Sequence, residues 1–145
     1  MKFENDAHAK AYERVKLLMA ELYGESCSVN DDFPAFALGA GSSQVRVVVL
    51  PRDESDACVQ VFAWVVIGAE LTPDLMKYML QKNQEFLFGG FGIDPEGDIF
   101  FKHTIVANDI DKSELRATIG AVRFSADEQD DEIQKRWGGQ RLADR

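Results

Sequence analysis

At 145 residues the chain is one domain by length, and long enough to bury about two-thirds of its unfolded surface. Its 46% hydrophobic and 28% charged residues are the composition of an ordinary globule, and a formal charge of -9 argues against nucleic acid and anionic membrane as partners, since both need Lys/Arg patches. By charge alone, a basic or flexible partner suits the chain better.

The two cysteines, Cys27 and Cys58, stand at neither a metal nor a redox spacing, which points to free buried thiols in a reducing compartment and hence a cytoplasmic protein. The N-terminal MKFENDAHAKAYERV lacks the apolar core of a secretory signal. The longest apolar run, Val59 to Ile67, is interrupted by Gln60 and is too short to cross a bilayer.

A first helix is expected from an N-cap at Asp6, with Ala11, Val15, Leu18 and Leu22 recurring at helical spacing and Tyr12, Met19 and Tyr23 beside the stripe. Gly24 closes it. Cys27 to Asp32 is polar and reads as a loop. Phe33 to Ala40 follows as a strand, with Pro34 favouring its start or an edge position. Gly39, Gly41, Ser42 and Ser43 supply a turn. Gln44 to Leu50 is the second strand, with Val45, Val47 and Val49 on one face and Gln44, Arg46 and Val48 on the other. Pro51 to Asp56 is a charged hairpin loop, and Ala57 to Ile67 is the third and longest strand.

Thr72, Pro73 and Asp74 mark the start of a second helix, with an apolar stripe of Leu75, Met76, Met79 and Leu80 and an exit at Asn83. A hairpin pairs Glu85–Ile93 with Asp98–Val106 through Asp94-Pro95-Glu96-Gly97, a type I turn with Gly at the left-handed bulge position. The last helix starts at Asp111 with Glu114 three residues on, presents Leu115, Ile119, Val122, Ala126, Ile133 and Trp137 on one face, and stops at Gly138-Gly139. A single domain over residues 1–139 and a frayed tail over 140–145 are expected.

The element order is α-β-β-β-α-β-β-α. Tight connections make the sheet largely antiparallel, an α+β fold with helices packed on it. The third strand is apolar at its odd positions, Ala57 to Ile67. It is also apolar at most even ones, Cys58, Phe62, Trp64 and Val66. A sheet with one wet face alternates instead. Its second face is therefore covered, either by a helix of the same chain or by a dimer partner or bound peptide, with Phe62, Trp64 and Val66 as the candidate contact surface.

Candidate chemistry is thin. Asp94, Glu96 and Asp98 sit at alternate positions, but a calcium loop needs Gly at its sixth position and Glu at its twelfth, where Ile99 and Ile105 stand. Gly89-Gly90-x-Gly92 leads into a turn and a strand, not the helix N-terminus a phosphate loop requires. His8 and His103 are too few and too distant for a metal site; Cys58, in a strand interior, reads as a small buried hydrophobe, and Cys27, in a loop, has no His or Arg nearby in sequence to activate it. Asp127, Glu128, Asp130, Asp131 and Glu132 read as a solvated helix face, a break in the helix, or a patch for a basic partner. No triad, carboxylate pair or metal-hydrolase pattern stands out, so no catalytic residue, cofactor or metal is assigned.

The order of elements, the hairpin FLFGGFGIDPEGDIFFKHTI and the ending ADEQDDEIQKRWGG resemble the YbjN-type domain family, which is similar in fold to the class I type III secretion chaperones. The matched positions are Gly90-Phe91, the Ile93-Asp94-Pro95-Glu96-Gly97 turn, the acidic run Asp127 to Asp131 and Gly138-Gly139. The resemblance spans the first helix through Gly139 and rests on hydrophobic and glycine positions. It implies a homodimer that binds a protein or peptide client without catalysis, a small cytoplasmic chaperone or adaptor. The alternative is a regulatory or sensor domain holding a small ligand in a sheet pocket.

Overall fold

The computed structural model describes residues 1–39 and 44–140. Helix α1 (Asp6–Tyr23) is capped one residue earlier than expected: Asn5 Oδ1 accepts the His8 N–H, and Asp6 instead sits in the first turn at the positive helix end. Gly24, at φ 55°, ends the helix in a conformation that costs a residue with a Cβ. A single 3-10 turn (Gly24–Ser26) leads into β1 (Cys27–Val29), a stretch whose polarity reads as loop. It is a strand because it pairs with β2 (Ala35–Leu38), with Ser28 opposite Ala37. A short edge strand keeps one side in water, so polarity there gives no sign of pairing.

β2 is shorter than the expected Phe33–Ala40; Ala40 and the turn residues Gly41, Ser42 and Ser43 lie outside the described residues. β3 (Val45–Pro51) and β4 (Ala57–Val66) form the next hairpin. Helix α2 (Pro73–Asn83) starts as its sequence dictates, with Thr72 Oγ1 accepting the Leu75 N–H and Pro73 in the first turn. The segment expected to begin a strand at Glu85 does not. The Gln84 and Glu85 N–H groups turn back to the Gln81 and Lys82 carbonyls, and strand β5 is only Gly90–Ile93. Its turn into β6 (Ile99–Val106) is the expected one, with Gly97 at φ 87° and the Gly97 N–H donating to the Asp94 carbonyl. Asp111 Oδ1 accepts the Glu114 N–H and caps α3 (Lys112–Trp137), which runs unbroken through the acidic stretch.

The six strands form one antiparallel sheet in the order β1-β2-β3-β4-β6-β5, one strand more than the sequence pattern gave. Helices α1 and α3 both pack on β3 and β4, and α2 packs on β5. Val15 and Met19 of α1 and Leu115, Ile119, Val122 and Ile133 of α3 close with Val47, Val59, Val61 and Phe101 into one core. Each fully buried aliphatic side chain contributes about 1.5–3 kcal/mol. Met76 and Leu80, expected in the buried stripe of α2, are exposed, because only Leu75 and Met79 face the core.

Beyond α3 the chain is tied back to the sheet: the Ile67 N–H donates to the Gln140 carbonyl and the Gln140 N–H to the Ile67 carbonyl. The remainder of the expected frayed tail, 141–145, lies outside the described residues.

Candidate functional site

The burial of β4 separates its two apolar faces. Ala57, Val59, Val61, Ala63 and Val65 are buried under the helices, while Cys58, Gln60, Phe62 and Trp64 are only half-buried. Among the described residues no helix covers that second face; its flanking positions Arg46, Lys102, Thr104 and Val106 are exposed. The described helices thus bury one side of the sheet and leave the other without a helical cover.

Two of the three expected contact residues stand on the open face. Phe62 and Trp64 meet edge to face, ring centroids 5.4 Å apart. Val66 does not join them. The register shifts between Trp64 and Val66, so that Trp64 lies opposite Phe100 but Val66 opposite Ile99, and Val66 is 0% exposed. The bulge turns it under the end of α3, where it abuts Gly139.

The aromatic cluster is held from below and from the sides. Trp64 Nε1 donates to Asp94 Oδ2 at 3.0 Å. That bond, above all, holds the Asp94 carboxyl below the usual aspartate range, with the Asp98 and Glu96 N–H groups adding to it and desolvation opposing. The Phe100 ring covers Gly92, where a Cβ would run into it. The Arg46 guanidinium lies 5.1 Å from the centroid of Trp64, and Lys102 Nζ 5.7 Å from that of Phe100.

A second apolar surface is one that sequence reasoning missed. Met76, Leu80, Leu87 and Phe88 are exposed on α2 and the segment after it, Leu87 by 91%. Beside them a groove of about 190 Å³ runs between α2 and β5, lined by Met76, Met79, Leu80, Phe91 and Ile93. Its signal was the breadth of the α2 stripe, two pairs of large apolar residues where one contact line needs only Leu75 and Met79. Asn83 closes part of the strand margin there, its Oδ1 accepting the Phe91 N–H.

A wider cleft, about 650 Å³, is not on the sheet. It lies by the start of α1, between Lys10, Arg14, Glu54, Asp56 and Asp109. Two of its polar side chains tie loops together: Asp56 accepts the Ala57 and Asn108 N–H groups and pairs with Arg52, and Arg14 donates to the Ile110 carbonyl.

Several of the residues weighed for chemistry are held by packing or hydrogen bonds. His8 is 4% exposed; its Nδ1 accepts the Glu4 N–H, so Nε2 carries the proton and donates to the Val49 carbonyl at 2.8 Å. His103 packs on Phe88, and burial pushes its pKa down. Neither cysteine is buried as expected: both are half-buried, Cys58 because it stands on the open sheet face, and partial burial pushes the Cys27 thiol up, away from the reactive thiolate. Asp130 of the acidic run is buried on α3, while Asp127, Glu128 and Asp131 are exposed. Among the described residues, no group of three or more His, Cys, Asp or Glu side chains is placed to hold a metal, and no helix is long and apolar enough to cross a membrane.

Residues 9–145 match the family described as the T3SS (YopN, CesT) and YbjN peptide-binding chaperone 1, TY-Chap1. The chain belongs to the TY-Chap1 family. The resemblance carried by the hairpin and the last helix is thereby borne out, and so is the α+β fold. A chain of the crystal structure of the ExsC-ExsE complex superposes with a TM-score of 0.65 at 15% identity, covering 88% of this TY-Chap1 chain and 96% of that one. A chain of the HopA1-SchA chaperone-effector complex gives a TM-score of 0.60 at 8% identity, covering 88% and 96%. An uncharacterized protein from Methanothermobacter thermautotrophicus gives 0.58 at 18% identity, covering 88% and 99%. At these identities the likeness is one of fold. No protein of curated function matches this TY-Chap1 chain.

Proposed function

We propose that this TY-Chap1 protein is a small, non-catalytic cytoplasmic chaperone or adaptor, working as a homodimer, that holds an extended or partly unfolded client segment against its open sheet face. The observation that carries the reading is a β4 strand apolar on both sides, of which, among the described residues, helices cover one. Half-buried aromatic side chains at such a position desolvate readily against a partner and anchor it. Family membership and the chaperone–effector complex among chains of like fold support a protein or peptide client.

The test is a Phe62→Ser/Trp64→Ser double variant assayed for binding a permanently unfolded model protein, alongside its thermal unfolding. Loss of binding with cooperative unfolding retained supports the reading. Wild-type binding by a folded double variant overturns it for this face. Sedimentation over a range of concentrations measures the dimer separately.

A further inference from the structure

The chain carries 25 acidic and 16 basic residues, which argues against an acidic partner for the molecule as a whole. Its open sheet face reverses that balance. By strand register, the charged strand residues on this face among those described are Arg46 and Lys102, both cations. They flank Phe62 in one row across three strands, Arg46 opposite it from β3 and Lys102 from β6. Neither forms an ion pair among the described residues. Asp94, at the border of the aromatic cluster, has its oxygens committed to Trp64 and to the Glu96 and Asp98 N–H groups. Packing over Trp64 and Phe100 limits the freedom of the two cations before any partner arrives.

We infer that the open face selects an acidic segment of a partner protein, with its carboxylates on Arg46 and Lys102 and its apolar side chains on Phe62 and Trp64. Strands lie about 4.8 Å apart, so the two cationic positions are about 10 Å apart. Carboxylates two or four residues apart on one side of an extended segment fall about 7 or 13 Å apart, which brackets that spacing within the reach of Arg and Lys side chains. A second copy of the chain is the poorer occupant. Two identical faces meeting about a two-fold axis bring four cations together without a counter-charge. The inference rests on the peptide-binding reading and adds a sign to it.

Three labelled peptides distinguish the outcomes. They share alternating Leu, Phe and Val and differ only in carrying Glu, Gln or Lys between them. Fluorescence anisotropy is read against the wild type, Arg46→Glu/Lys102→Glu and the milder Arg46→Gln/Lys102→Gln. The Glu peptide binds the wild type roughly tenfold more tightly than the Lys peptide, about the worth of two exposed ion pairs. The gap narrows as salt rises from about 50 to about 300 mM. Charge reversal inverts the order, and the Gln variant erases it. A wild type that prefers the Lys peptide, or a preference unchanged in a folded variant, overturns the acidic selectivity while leaving peptide binding intact. Failure of all three peptides to bind overturns both readings. Sedimentation that changes in the charge variants while peptide affinities do not assigns the face to a second copy and overturns the inference.

Discussion

Trp64 and Asp94, 30 residues apart in sequence, are joined at 3.0 Å by the indole N–H and one carboxylate oxygen. The bond ties the exposed edge of the aromatic cluster to the turn between β5 and β6. The same carboxylate accepts the Glu96 and Asp98 N–H groups, so the turn and the indole are set by one side chain. Its pKa is held below the ordinary value of about 4. Its stabilising contribution is therefore complete above about pH 4 and is lost as pH falls below that. Trp64→Phe removes the first cause of the shift. In denaturant unfolding, the variant should be less stable than the wild type at neutral pH, and the two curves should converge in acid. A gap that persists at low pH would assign the loss to packing alone.

His8 predicts a larger effect. Its imidazole donates to the Val49 carbonyl and packs edge to face on Phe3, at 5.2 Å between centroids. His8→Ala leaves a buried carbonyl unpaired and should cost about 1–3 kcal/mol. His8→Phe keeps a ring beside Phe3 but cannot donate. If its urea midpoint matches the wild type, the hydrogen bond contributes nothing.

Much of the fold was legible because local rules and tertiary demands agree. Thr72-Pro73 starts α2, Asp94 to Gly97 turns the hairpin, and Val45, Val47 and Val49 alternate with wetter neighbours. What alternation cannot encode is which apolar face stays open. Phe62 and Trp64 avoid water as Val61 and Ala63 do, and only the placement of α1 and α3 on one side decides between them. The fate of Val66 was hidden for a related reason. A period of two carries it onto the face of Trp64, and a bulge resets the period. The row Arg46, Phe62, Lys102 joins three segments spread over more than fifty residues, and exists only once register is set.

Acid should act on a second group, in a separate window. Burial holds the His103 imidazole below its ordinary pKa of about 6.5. The unfolded chain then binds this proton more readily than the native one, and stability falls as pH drops through about 6.5. His103→Gln cannot titrate. Between about pH 7.5 and about 5.5 its denaturation midpoint should decline less than that of the wild type. Parallel declines would locate the sensitivity elsewhere.

Two glycines of the C-terminal region should respond in opposite directions. Gly120 lies within α3 with nothing within 4 Å of a Cβ added there, so Gly120→Ala should stabilise by about 0.5–1 kcal/mol. Gly139, at φ 91°, has Val66, Ala69 and Ile67 against the same position. Gly139→Ala should destabilise by about 1–3 kcal/mol and open the bridge between Ile67 and Gln140. Calorimetry on the pair reads both signs, and a Gly139→Ala chain as stable as its parent would refute the tight fit.

Asn83 has a consequence at a larger scale. With its amide on the Phe91 N–H and α2 alongside, one lateral margin of the sheet is obstructed, while β1 borders the opposite margin. Endless growth by edge pairing requires both margins to be receptive, since each added molecule must offer a fresh edge. A sheet obstructed on one side can join a like sheet only through its other side, and the pair then has no receptive edge left. Lateral association of that kind would stop at two molecules instead of propagating into a fibre, so that half-covered aromatic surface on the sheet need not seed an aggregate.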